Sequence, residues 1–202
     1  MDEFTTLPRS GFGDCLIREN GLGRGQFERW LFYPGMLFEA ESEWWGDQAA
    51  RNRPHEGLDI CLYQNRRNQV CTLDENTKIP AMYDGVVVGV IKDFLGQTIV
   101  MEHRDLGGES GVRCYTFFGH TRPTEGLAPE RSVTEGEPIA LLSGVGGSKR
   151  GMLPHLHLSV GLASSAVPHH RLHWRHIGTS SALTLIDPLQ LLTQPVAVTD
   201  EA

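Results

Sequence analysis

The 202-residue chain has no run of 18 or more apolar residues, so its sequence offers no membrane-spanning helix. Its first residues, Met1-Asp2-Glu3-Phe4, are acidic and lack the basic and apolar regions of a secretory leader, so a signal peptide is not expected there. It has no excess of positive charge. Lys and Arg number 18 against 25 Asp and Glu, a net charge of −7, and there is no basic stripe or phosphate-cradling glycine motif. General nucleic-acid binding, which leaves a basic footprint, is thereby disfavoured. Four cysteines (Cys15, Cys61, Cys71, Cys114) are too few to fix the compartment. Cys61 and Cys71 could bridge a hairpin in an oxidising space or stay small buried thiols. Internal repeats are absent, and no amphipathic helix of twelve residues stands out.

What is present is β-forming. The 23 glycines and 11 prolines supply many turns, and 40% hydrophobic with 21% charged residues fits a globular domain with a substantial core. Residues 1–50 read as an irregular, aromatic-rich extension, whose Trp44 and Trp45 are expected to pack on the main sheet. Residues 51–193 carry the chemistry, and 194–202 read as a loose tail. Strands are expected around Ile60–Leu62, Val86–Ile91, Gly96–His103, Val112–His120 and Ile139–Leu142, with a polar hairpin tip at 64–68 and a short helical turn opening at Pro188.

Pro154-His155-Leu156-His157-Leu158 is the most informative stretch. In an extended strand residues i and i+2 share a face, so the two imidazoles are about 6–7 Å apart at their bases and can converge on one small centre. Strand geometry does not say which of them would hold a metal. Earlier in the chain, His55-Glu56-Gly57-Leu58-Asp59 places a histidine four residues before an aspartate. Fully extended, those two would stand about 13 Å apart, too far for one ion. On a helix they would be neighbours, but Pro54 and Gly57 argue against one, and a bend at Gly57 would fold His55 back toward Asp59. A third block, Phe117-Phe118-Gly119-His120, ends a strand in another histidine. Two imidazoles and one carboxylate with a fourth position open make a catalytic zinc site, and two further histidines can move protons.

These blocks, in this order, resemble the lysostaphin/LytM-type zinc metallopeptidases, which cut peptide cross-bridges in bacterial peptidoglycan. The likeness runs from His55 to Leu192 and includes Ala81-Met82-Tyr83-Asp84-Gly85-Val86-Val87, Gly136 with Ile139-Ala140, and Asp187-Pro188. It implies a mainly β fold, a mostly antiparallel sheet with a groove holding a zinc site and few short helices. It implies one Zn²⁺ per chain held by His55, Asp59 and His157, with His120 and His155 catalytic, and a metal-activated water that hydrolyses an amide. A peptidoglycan or short peptide substrate, a monomer and a cell-envelope or extracellular location follow from the same resemblance. The chain departs from the family pattern at Leu158-Ser159, where Phe-Glu is common, at Thr121, and in the Gly144–Leu153 loop, where Ser148, Lys149 and Arg150 are candidate substrate contacts. Silent relatives that bind wall or regulate another hydrolase are the alternative. They typically lose metal ligands, which this chain retains. A biotinyl- or lipoyl-carrier reading fails for want of a lysine at a tight turn. His103 is read as structural or surface, and the cluster His169–His176 as a rim or lid loop rather than a second metal site.

Overall fold

A computed structural model describes residues 7–24, 26–104, 106, 112–146, 151–177 and 182–200. Ser148, Lys149 and Arg150 lie outside the described residues. β-Branched and aromatic runs cut by Gly, Pro and Asp-Gly punctuation give short strands, as such patterns should. In chain order these are α1 (Phe12–Glu19), β1 (Phe27–Phe32), β2 (Leu58–Ile60), β3 (Leu62–Asn65), β4 (Val70–Thr72), β5 (Lys78–Pro80), β6 (Gly85–Lys92), β7 (Gln97–His103), β8 (Arg113–Pro123), β9 (Ser132–Val133), β10 (Pro138–Leu142), β11 (Leu156–Ala163), β12 (Thr184–Ile186) and β13 (Val196–Val198). The fold is mainly β and its pairings are antiparallel except β1 with β13. Among the described residues no helix is long and apolar enough to cross a membrane.

The larger sheet runs β12-β11-β8-β7-β6-β9, with β2 also on β11 and β10 joining β8 to β5. β11 is buried along its whole length, because side chains cover both of its faces. One face carries Leu156, Leu158, Val160 and Leu162 into the main core with Phe12, Leu16, Trp30 and Phe118. The other meets a second cluster of Tyr115, Phe117, Val167, Leu172 and Ile177. Double coverage explains why these strands read as nearly continuous apolar runs rather than clean alternation.

The ends of the chain differ from the expectation. Residues 12–19 form α1, which buries Phe12 and Leu16 one helical turn apart. Eight residues are too few to hold a helix by propensity, so its stability comes from packing that the local sequence does not announce. The expected loose tail contains β13, paired parallel to β1 through Trp30↔Val196 to Phe32↔Val198. Since β1 also pairs with β3, residues of the expected extension and tail share one small sheet with the centre of the chain. Cys61 and Cys71 are free thiols.

His103 is structural. Its ring is fully buried. Nδ1–H donates to the Asp84 carbonyl at 2.9 Å, so Nε2 accepts from the Thr116 hydroxyl at 2.7 Å, and the neutral ring is satisfied on both sides. Burial pushes its pKa down from 6.5 to about 4. Between those values the unfolded chain binds a proton that the folded chain refuses, so stability is present above pH 6.5 and is lost as pH falls toward 4. The stability difference between wild type and His103→Asn, read from urea midpoints, is expected to shrink by about 2 kcal/mol between pH 7.5 and pH 5. A difference that stays constant over that range would contradict the assignment.

Candidate metal centre and groove

The site is assembled by strand pairing. Asp59 on β2 stands directly across from His157 on β11, and His157 stands across from Gly119 on β8. Segments about 100 residues apart in sequence therefore meet side by side. The bend expected at Gly57 is present, with a reason different from backbone freedom. Gly57 is not in the left-handed region. A Cβ there would press on the Leu158 carbonyl oxygen, Ser159 Oγ and His157 Nε2. Glycine lets the His55–Asp59 segment lie flat on β11.

Three donor atoms converge. His55 Nε2 is 3.1 Å from His157 Nδ1 and 3.2 Å from Asp59 Oδ1, and His157 Nδ1 is 2.9 Å from Asp59 Oδ1. Tetrahedral ligands about 2.05 Å from zinc stand about 3.3 Å from one another, so this spacing fits the ion with slight expansion. The three residues form a candidate metal-holding group within 4.8 Å.

Neighbouring groups fix the orientation of each candidate ligand. His55 Nδ1–H donates to the Leu37 carbonyl at 2.9 Å, which leaves Nε2 for the centre. His157 turns Nδ1 inward, and Nε2 is 3.0 Å from Ser159 Oγ. Ser159, one of the departures from the resembled pattern, is thus the outer partner of a candidate ligand ring. Trp44 Nε1–H donates to Asp59 Oδ2 at 2.8 Å, which leaves Oδ1 facing the imidazoles. The sequence favours packing for Trp44, with substrate lining as the lesser reading, and neither is this role. The Trp-Trp pair is the one local signal for this role, and the hydrogen bond depends on tertiary placement. Trp44→Phe keeps most of the ring packing and removes that bond, so zinc affinity should fall about 10-fold in a chelator competition. Unchanged affinity would show that the bond does not matter.

Electrostatics suit a cation. Asp59 is 1% exposed. Burial would raise its pKa, but the charges and hydrogen bonds of His55, His155 and His157 outweigh that and hold it well below the usual carboxylate range. A buried carboxylate of this kind requires a positive partner. His157 is pushed down by burial, which outweighs Asp59, and so is the neutral imidazole that a metal needs. His55 moves up: burial opposes, and the Asp59 carboxylate prevails. The Arg51 guanidinium, 3.9 Å from Asp59 Oδ2, adds a fixed positive charge beside the carboxylate.

His155 and His120 stand beside this group. His155 Nδ1–H donates to the Leu153 carbonyl at 2.8 Å, and its Nε2 is 3.9 Å from Asp59 Oδ1. Burial lowers its pKa to about 4, so the ring is neutral. The His120 ring centroid is 4.8 Å from that of His155 and 5.9 Å from that of His157. Strict alternation along β8 would turn His120 away, since Gly119 is the residue opposite His157. The register shows how it is redirected. Between Phe118↔Ile99 and Thr121↔Gln97, Gly119 and His120 oppose the single residue Thr98, a β-bulge. His120 has φ +61°, uncommon for a residue with a Cβ and costing on the order of 1–3 kcal/mol. The strained bulge re-aims its side chain into the site.

The groove has a volume of about 570 Å³. Trp45, Phe94 and Trp174 supply aromatic walls, and Arg51, Arg53, Lys92 and Arg175 its cations. Trp45 stacks on His155 at 6.2 Å and Arg51 lies over Trp45 at 5.1 Å, so the N-terminal aromatic segment builds a wall of the groove. Trp174 stands edge-on to His157 at 4.9 Å, which places His173–Arg175 on the rim. A second metal group within His169–His176 is not found among the described residues.

No protein-family model and no curated protein matches the chain. Among solved structures it is similar to the antimicrobial peptidase lysostaphin from Staphylococcus simulans, at 17% identity and a TM-score of 0.43, over 68% of this chain and 43% of that one. The catalytic domain of the same peptidase, crystallised without phosphate, gives 15% identity and a TM-score of 0.44 over 82% of this chain and 86% of that one. A solution structure of lysostaphin gives 14% and 0.45 over 82% and 53%. The chain thus spans less than half the length of the first of these proteins.

Proposed function

We propose that the protein is a zinc-dependent endopeptidase that hydrolyses peptide bonds, with the cross-bridges or stem peptides of peptidoglycan as substrate. The observation that carries the reading is the buried His55–Asp59–His157 donor set at the floor of an open groove, with two further histidines beside it. The motif order shared with lysostaphin/LytM-type peptidases supports the choice of substrate. His55 Nε2, Asp59 Oδ1 and His157 Nδ1 would hold the ion. When bound, it supplies Lewis acidity that polarises a carbonyl and acidifies water.

The remaining work falls to the chain. His155, neutral and with Nε2 turned toward the centre, accepts a proton from the attacking water. His120 takes up the second proton of that water and delivers it to the departing amine nitrogen. The C–O bond forms first, the C–N bond breaks as the tetrahedral adduct collapses with its nitrogen protonated, and the water's two protons end on the products. Trp45, Phe94 and Trp174 position an extended peptide and limit water around the reacting bond. The test is digestion of purified peptidoglycan with the zinc-loaded full chain, scoring free amino groups. New amino groups that vanish with chelator are expected. Wall binding without new amino groups would favour a non-catalytic binding module.

A further inference from the structure

The geometry points to Asp93 as the positioning residue of His120: its carboxylate holds the strained bulge and keeps the His120 proton on Nδ1, so that Nε2 is the nitrogen presented to the groove. The inference rests on the reading of His120 as a proton-handling group. No sequence motif marked Asp93, which lies in the turn between β6 and β7, 27 residues before its partner.

The Asp93 side chain is 3% exposed and accepts four hydrogen bonds. Oδ2 accepts the His120 backbone N–H at 2.8 Å and the Thr98 hydroxyl at 2.8 Å. Oδ1 accepts from Leu95 N–H at 2.9 Å and Gly96 N–H at 2.7 Å, which fixes the carboxylate in its own turn. The bond to His120 N–H pins the residue whose backbone is left-handed, and Thr98 is the single residue opposite the bulge. One carboxylate therefore ties both sides of the distortion.

The same group sets the tautomer. His120 Nδ1 is buried and lies 3.3 Å from Asp93 Oδ1, close enough for a charge contact but outside hydrogen-bond alignment. A bare Nδ1 lone pair would face a carboxylate lone pair, which is repulsive. A proton on Nδ1 turns that repulsion into attraction, and a small ring rotation aligns it. Phe94 stands edge-on to the ring at 4.6 Å and limits that rotation. Trp174 Nε1–H donates to Thr98 Oγ1 at 2.8 Å, so the Thr98 hydroxyl proton is left to point at Asp93. The rim residue Trp174, edge-on to His157, is thereby linked through Thr98 and Asp93 to His120.

Nitrogen-detected NMR of the His120 ring in the full chain, assigned by the signals lost in His120→Gln, reads the tautomer without any turnover. Wild type should carry the proton on Nδ1 both metal-free and zinc-loaded. In Asp93→Asn, one face of the amide presents a donor to a donor whichever way it is turned. The His120 tautomer should then mix or switch to Nε2–H, and kcat on a cross-bridge peptide should fall about 100-fold with KM within about 3-fold. Thr98→Val, which leaves the carboxylate in place, should move both readouts the same way, with kcat down about 10-fold. If Asp93→Asn does not fold, Thr98→Val decides. Protonation on Nε2 in wild type, or folded variants with the wild-type tautomer and kcat, would overturn the assignment. A wild-type chain with the Nδ1–H tautomer, lost in the variants, that cleaves no peptide would sink the peptidase reading and leave this one standing.

Discussion

Asp59→Ala is expected to cost the protein its zinc, with affinity down by at least about 100-fold and turnover lost with it. Asp59 is the one anion of the donor set, and its Oδ1 lies 2.9 Å from His157 Nδ1 and 3.2 Å from His55 Nε2. Without it two imidazoles remain, and the positive charge of the ion has no buried partner. The substitution also strands Trp44 Nε1–H, whose acceptor is Asp59 Oδ2. A buried donor without an acceptor costs about 1–3 kcal/mol, so the Ala variant should also be less stable when metal-free. Asp59→Asn keeps a side-chain oxygen for Trp44 but not the charge. It should recover much of the stability and little of the affinity. Elemental analysis after dialysis against a weak chelator, alongside thermal melts, separates the two effects. Zinc retained at one per chain in the Ala variant would remove Asp59 from the ligand set.

His120→Ala should have the opposite profile: zinc retained, turnover down about 10²–10⁴-fold. His120 lies beside the donor group without belonging to it. A second comparison exploits its backbone. At φ +61° alanine keeps the steric penalty of a Cβ and glycine does not. His120→Gly should therefore be inactive yet melt at a higher temperature than His120→Ala. Full activity in either variant would remove His120 from the mechanism. A Gly variant less stable than the Ala variant would mean that the bulge is not strained.

Much of this site was legible in the sequence because its parts are local. His155 and His157 are two residues apart, His55 and Asp59 four, and each pair needs one strand or one bend to converge. The structure brings all four together, along with His120. What local pattern could not supply was pairing. That Asp59 stands across from His157, and His157 from Gly119, is a matter of register between distant strands. The bulge at Gly119–His120 breaks the alternation on which strand reading depends, and Asp93 acts only because that bulge exists. Gly57 was singled out correctly for a bend, but its requirement is space against β11. Trp44 and Ser159 looked like packing and a departure from pattern, and they become partners of the candidate ligands once the chain is folded. The helix α1 and the strand β13 were missed because each is short and held by tertiary contacts. The strands of the central sheet were found because β-branched runs and turn residues agree there.

The zinc-peptidase account is tested most directly by digesting defined muropeptides with the zinc-loaded full chain in ¹⁸O-labelled water and weighing the products. It predicts two fragments per cut, with one heavy oxygen in each new carboxyl group and no products from Asp59→Ala. Muropeptides and short cross-bridge peptides left intact by a chain that holds one zinc would contradict it.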